Sequence, residues 1–161
     1  MRQNLDELIP RTQGSLYRAA FSVCRDRQEA ENIVQETYLT YYRRHQEFDS
    51  ENHLHAWLLR VAINRAKDAC RSFWRRNRVD IDSVAAQLPF ETPQDGEVFK
   101  AVMRLPEKQR VTIYLFYYED RPIRDIARIL RTRENTVKSH LRRGRMALKN
   151  ILQEGWSDDE P

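Results

Sequence analysis

The stretch DIARILRTRENTVKSHLRRGRMAL, residues 125–148, holds two apolar-patterned segments separated by a short polar turn, Arg131–Arg133. In the first segment Ile126, Ala127 and Leu130 recur at helical spacing, and Ile123 just upstream extends the stripe. In the second, Val137, Leu141, Gly144 and Leu148 follow the i, i+4, i+7, i+11 pattern of one helix face. Two short helices joined by a tight turn make a helix-turn-helix, whose second helix enters the major groove of DNA. One position on from the apolar stripe, Lys138, Arg142, Arg145 and Lys149 form a wholly basic stripe, with Ser139 and Arg143 beside it. A basic face without compensating acids neutralises phosphates. Cations near its start can also donate to guanine edges, each good bidentate pair giving about 1–3 kcal/mol of discrimination.

Working outward, the 161-residue chain suits one domain or two small ones. Its net charge of +4 hides a pattern: −2 over residues 1–56, +6 over 57–78, −5 over 79–97, +9 over 98–152 and −4 over 153–161. Two basic blocks divided by an acidic connector point to two contacts with a polyanion. No apolar run reaches the roughly 18 residues of a membrane span, and the start lacks the order of a secretory signal, so a cytoplasmic location is expected. Cys24 and Cys70 are far apart, show no CxxC spacing, and read as buried thiols. His45, His53 and His55 lack ligand spacing, so no metal is expected.

Almost every periodic segment has helical period. Leu16, Ala20, Val23 and Cys24 mark a first helix, with Pro10 and Gly14 expected to delay or bend its start. Asp26 with Glu29 is a capping-box pattern opening a second helix to about Arg44, and a third runs from about Leu54 to Trp74. The stretch 79–96, with two prolines, a glycine and no basic residue, reads as a flexible linker. Periodicity resumes at Glu97, and Pro106 and Pro122 each sit where a helix can start. No run alternates with period two and no hairpin signal occurs. The fold class is all-α: two small helical domains joined by a flexible acidic linker, the second containing the helix-turn-helix. The expected division is 1–76, linker 77–96, 97–155 and an acidic tail 156–161.

The sequences AENIVQETYLTYYRR and HAWLLRVAINRAKDACRS resemble the first domain of extracytoplasmic-function sigma factors, the small group IV members of the sigma-70 family. LPEKQRVTIYLFYYEDRPIRDIARIL, followed by ENTVKSHLRRGRMAL, is similar to their second domain. The likeness covers about residues 5–152, in the family's order. It implies a promoter-specificity subunit of bacterial RNA polymerase. The first domain would dock on the clamp helices of the β′ subunit and open the downstream (−10) element. The second would bind the upstream (−35) element and touch the β flap. An anti-sigma factor is the expected regulator.

The same resemblance assigns residues. Glu29, Asn32, Gln35 and Glu36 match the polymerase-docking positions. Arg60, Asn64, Lys67 and Arg71, on one face of the third helix, match the downstream-element surface, and the loop containing Phe48, Asp49 and Ser50 would hold a flipped base. Lys138, Ser139, Arg142 and Arg143 match base-reading positions for the upstream element, while Thr136, Arg145 and Arg133 would hold phosphate. Trp57 fits the core better than base stacking, and Trp74 fits either a single-strand groove or a hydrophobic cap.

Three residues depart from the pattern: Arg131 in place of a turn glycine, Asn135 in place of another, and His140 in place of a common arginine. Arg131 implies a non-glycine residue in a left-handed conformation, at a cost of roughly 1 kcal/mol. The competing reading is a stand-alone helix-turn-helix transcription regulator. An enzyme is disfavoured: there is no Gly-rich phosphate loop, metal spacing or nucleophile motif, and neither cofactor nor small-molecule substrate is expected.

Overall fold

The structure is a computed structural model that describes residues 3–73 and 93–157. These form seven helices: α1 (Leu5–Cys24), α2 (Arg27–Arg44), α3 (Glu51–Phe73), α4 (Pro93–Met103), α5 (Glu107–Tyr117), α6 (Ile123–Leu130) and α7 (Glu134–Ser157). No strand occurs among the described residues. Trp74 and residues 77–92 of the expected linker lie outside them, as does the tail from residue 158.

Local chemistry sets the ends. Asn4 caps α1 by accepting from the Asp6 amide at 2.9 Å. Asp26 caps α2 through the Glu29 amide at 3.0 Å, as its capping-box pattern predicts. Pro10 does not delay α1, which begins at Leu5 and runs through it. The proline removes one intrahelical bond, but it sits on the exposed side, where water can serve the freed carbonyl. α4 begins at Pro93, earlier than expected from Glu97, because proline is well placed in a helix's first turn. α7 continues to Ser157, past the expected end near Leu152.

Between α6 and α7 the chain turns at Arg131, whose φ of 55° and ψ of 50° are left-handed. The turn is closed by the Thr132 amide donating to the Ala127 carbonyl at 2.9 Å. The strain expected of a non-glycine residue is therefore present, and this bond offsets it.

α1, α2 and α3 pack on Leu16, Phe21, Ile33, Leu54, Leu58, Leu59 and Ile63, each at most 1% exposed. α4 to α7 enclose Phe99, Met103, Ile113, Tyr114, Leu115, Ile126, Val137 and Leu141. The two cores are continuous: Phe21 stacks on Phe99 with ring centroids 6.2 Å apart, α1 lies on α5, and α3 lies on α6.

α7 reaches its neighbour through Gly144, where an added Cβ would lie 2.8 Å from Ile113 Cγ1 and 3.5 Å from Gln109 Cβ. Gly144→Ala gains about 1 kcal/mol of helix propensity. Overpacking against the branched Ile113 costs about 1–3 kcal/mol. A net loss of stability, read as a lower denaturation midpoint, is the expected result.

Cys24 is fully buried and disulfide-bonded, which corrects the free-thiol reading. Its Sγ lies 3.6 Å from the Ala66 carbonyl oxygen, so α1 ends against the last third of α3. Distance along the chain conceals that juxtaposition.

Candidate nucleic-acid interface

α7 stands with Val137, Leu141 and Gly144 buried and its basic side outward. Lys138, Arg142 and Arg143 are exposed, Ser139 and Thr136 are half-buried, and Arg133 is exposed at the turn. This is the arrangement in which the N-terminal turns of a recognition helix reach base edges while flanking groups hold phosphate. His140 is half-buried, and burial, then Lys108 and Arg143, push its pKa down. It is a neutral member of a cationic surface.

Arg145, expected on phosphate, is exposed and also packs against its own domain. Its guanidinium lies 5.5 Å from the ring centroids of both Phe116 and Tyr117, and its Nε donates to the Tyr117 hydroxyl. Cation–π attraction and this bond hold it on the aromatic end of α5. With Lys149 it borders an apolar cleft of about 470 Å³ floored by Val98, Val102, Ile113 and Leu148. The upper half of the basic stripe therefore frames a groove.

On α3, Arg60 and Arg71 are exposed, and Asn64 and Lys67 are half-buried. Lys67 sits among cations: burial first, then Lys108, Arg131 and Arg71, lower its pKa against the opposing pull of Glu107. In the preceding loop the three expected residues do different things. Asp49 is exposed, with its amide donating to His53 Nδ1 at 3.2 Å. Ser50 caps α3, its Oγ accepting from the His53 amide at 3.1 Å. Phe48 is 2% exposed, stacked near Tyr41 and Trp57, so its side chain anchors the loop and offers no face to DNA. An apolar ring next to a polar loop is drawn inward by burial. Trp57 packs against the core with one edge in the cleft beside Asp49 and Arg60.

The third surface is on α2. Asn32, Gln35 and Glu36 are exposed and Glu29 is half-buried. Arg65 of α3 pairs with Glu36 at 3.4 Å and donates to Thr40 at 2.6 Å, which orients the helix's polar face. Leu39 and Tyr42, 50% and 59% exposed, extend this face, and the sequence reading does not pick them out. Their signal is nonetheless present: at three and six residues beyond Glu36 they are apolar side chains on the polar side of the helix. Exposed apolar residues rimmed by polar ones mark a partner surface.

Among the described residues no cluster of His, Cys, Asp and Glu could hold a metal ion, and no helix is long and apolar enough to cross a membrane.

The described residues thus form an all-α chain with two separate basic helix faces, on α3 and α7, and a third, polar face on α2 that exposes Leu39 and Tyr42. Comparison with known proteins gives the particular family. Residues 8–76 match sigma-70 region 2 and residues 96–148 match sigma-70 region 4. The chain is 27% identical to RNA polymerase sigma-H factor of Pseudomonas aeruginosa, over 94% of this chain and 88% of that protein. It is 26% identical to the ECF RNA polymerase sigma factor SigM of Bacillus subtilis, over 96% and 99%. To SigK of Mycobacterium tuberculosis it is 29% identical, over 91% and 84%. Its fold matches the sigma factor RpoE solved in complex with the anti-sigma factor NepR from Bartonella quintana, with a TM-score of 0.71 at 23% identity, over 92% of this chain and 96% of that one. The chain belongs to the sigma-70 family, as a factor of the extracytoplasmic-function type that directs promoter-specific transcription initiation.

Proposed function

We infer that the chain is carried to promoters by bacterial core RNA polymerase and reads two elements with two faces. Asn32, Gln35 and Glu36, with Leu39 and Tyr42, dock on the β′ clamp helices. The α3 face of Arg60, Asn64, Lys67 and Arg71, with Asp49 of the adjoining loop, meets the downstream element. Lys138, Ser139, Arg142 and Arg143 read the upstream element in the major groove, with Thr136 and Arg133 on phosphate. The observation that carries this reading is the presence on one chain of two separate cationic helix faces and a third, uncharged-to-acidic face with exposed apolar residues. A stand-alone regulator has no use for that third face.

The apolar cleft bordered by Arg145 and Lys149 is of a size and composition to take one turn of an amphipathic helix, and the β flap is the occupant this reading assigns to it. An anti-sigma factor is the expected regulatory partner. The reading assigns no chemical reaction, cofactor or small-molecule substrate to the chain, and it places the protein in the cytoplasm with its polymerase.

The test is co-elution with purified bacterial core polymerase on gel filtration. A stable complex is the expected result. Failure to associate at micromolar concentration would leave the stand-alone regulator as the better account.

A further inference from the structure

Between the end of α3, the turn from α4 to α5 and the turn from α6 to α7 lies a cleft of about 770 Å³. Its charge is unusual. Lys67 and Arg71 stand one turn apart on α3, Arg104 and Lys108 flank Pro106 at the start of α5, and Arg131 forms the left-handed turn. All five line the cleft, and Glu107 is the only carboxylate among the described residues of its lining. The ion pairs among the described residues lie elsewhere.

Two further cations of the lining, Arg25 and Arg110, are used to build its wall. Arg110, 3% exposed, donates through Nε to the Ser22 carbonyl, through Nη1 to the Leu105 carbonyl at 3.1 Å and through Nη2 to the Val23 carbonyl at 3.0 Å. Arg25 donates to the Met103 carbonyl at 2.9 Å. These bonds fix the end of α1 against the α4–α5 turn, so the cleft has a defined shape. The other five cations face one another across it. Like charges gathered where water is partly excluded disfavour their own charged forms. Lys67 shows the effect: burial first, then Lys108, Arg131 and Arg71, lower its pKa against the opposing pull of Glu107.

The cleft offers more than charge. Pro106 precedes the first turn of α5 and no side chain caps that turn, so its amides carry the positive end of the helix dipole at the edge of the cleft. Thr132 and Thr136, both half-buried, add hydroxyl donors. A space of this size suits a small molecule and excludes a duplex. One phosphate would meet a single wall, whereas cations on three walls match an anion with several charges along its length. We propose that this cleft binds a small linear polyphosphate, such as the triphosphate chain of a nucleotide, between α3, the α4–α5 turn and Arg131.

The planar forks of Arg71, Arg104 and Arg131 suit two-point contacts with phosphate oxygens, and Lys67 and Lys108 act as point charges. An occupant also relieves the repulsion among the five. Pro106 and Leu130 give the lining some apolar surface, but among its described residues there is no Phe, Tyr or Trp on which a base could stack. The phosphate chain is therefore the part that is read. Lys67, Arg71 and Thr136 are also assigned to promoter DNA, so the occupant and the promoter compete for them. That consequence rests on the proposed function, whereas the binding does not.

The test is calorimetric titration of the full chain with sodium tripolyphosphate, with ATP and with orthophosphate, all at the same ionic strength. Saturable binding of one tripolyphosphate per chain is expected, with orthophosphate at least about tenfold weaker. ATP binding equal to tripolyphosphate supports the phosphate chain alone as the ligand, and tighter ATP binding supports a nucleotide; both uphold the site. Arg104→Ala combined with Lys108→Ala removes two exposed cations, so the fold should survive, as circular dichroism would show. The loss of two charge-assisted contacts should weaken tripolyphosphate at least about tenfold. Arg43→Ala combined with Arg44→Ala removes the same charge from the exposed end of α2 and should leave the affinity unchanged. Absence of saturable binding at millimolar ligand would overturn the site. So would several ions bound per chain, or equal weakening by the two double variants, since either describes a diffuse basic surface. In transcription at fixed free Mg²⁺, tripolyphosphate should suppress polymerase-dependent starts more with the wild type than with the Arg104 and Lys108 double variant. Absence of any such start would remove the sigma-factor reading and leave the calorimetric result standing, so the two failures are told apart.

Discussion

Lys138→Ala combined with Arg142→Ala removes promoter-specific initiation while leaving the protein folded. Both side chains are exposed on the first three turns of α7, away from the buried stripe, so stability should stay within about ±0.5 kcal/mol. If each reaches a base edge, the pair contributes about 2–6 kcal/mol to holding the upstream element. Transcription from dependent promoters should fall at least about 30-fold at limiting protein. The slope of log affinity against log salt should become shallower by about 0.9 for each phosphate that the variant no longer neutralises. A uniform weakening on all DNA, with unchanged preference among promoters, would instead place both residues on phosphate.

Gln35→Ala combined with Leu39→Ala separates polymerase binding from DNA reading. Gln35 is exposed on α2 and Leu39 is half exposed, so neither contributes much to the core. In an interface, a buried apolar anchor and a paired amide together contribute about 2–4 kcal/mol. Affinity for core polymerase should therefore fall about 30- to 1,000-fold. The double variant should still recognise the same promoters when enough protein is supplied to saturate polymerase. Glu36 is a less clean target because its ion pair with Arg65 would be broken as well.

The features legible in the sequence are those written in helical periodicity. The α7 stripe of Val137, Leu141 and Gly144, its basic neighbour, the Asp26 cap and the left-handed Arg131 can all be read because each depends on residues within a few positions. What escapes such reading is long-range. Ser15, His55 and Glu119 look like ordinary surface polar residues along the chain, yet they converge from positions up to 104 residues apart. Arg110 sits in a segment that looks amphipathic, and nothing local says that its guanidinium ends on the carbonyls of α1. Phe48 reads as DNA-facing because the resemblance assigns its whole loop to a flipped base, and Arg145 reads as a phosphate contact because it continues the basic stripe. Burial places Phe48 in the core, whereas Arg145 stays exposed while its guanidinium rests on the α5 aromatics, a contact between distant positions that the stripe does not announce. Leu39 and Tyr42 are legible in principle, but a polar helix face draws attention to its polar residues.

The most direct test is multi-round transcription on a pool of genomic fragments with purified bacterial core polymerase, with and without this protein. Defined starts that appear only when it is present, and that disappear with Asn64→Ala as well as with the Lys138 and Arg142 double variant, are the predicted result. Starts that are unchanged by the protein, or that survive all of these substitutions, would contradict the assignment of initiation to these two faces.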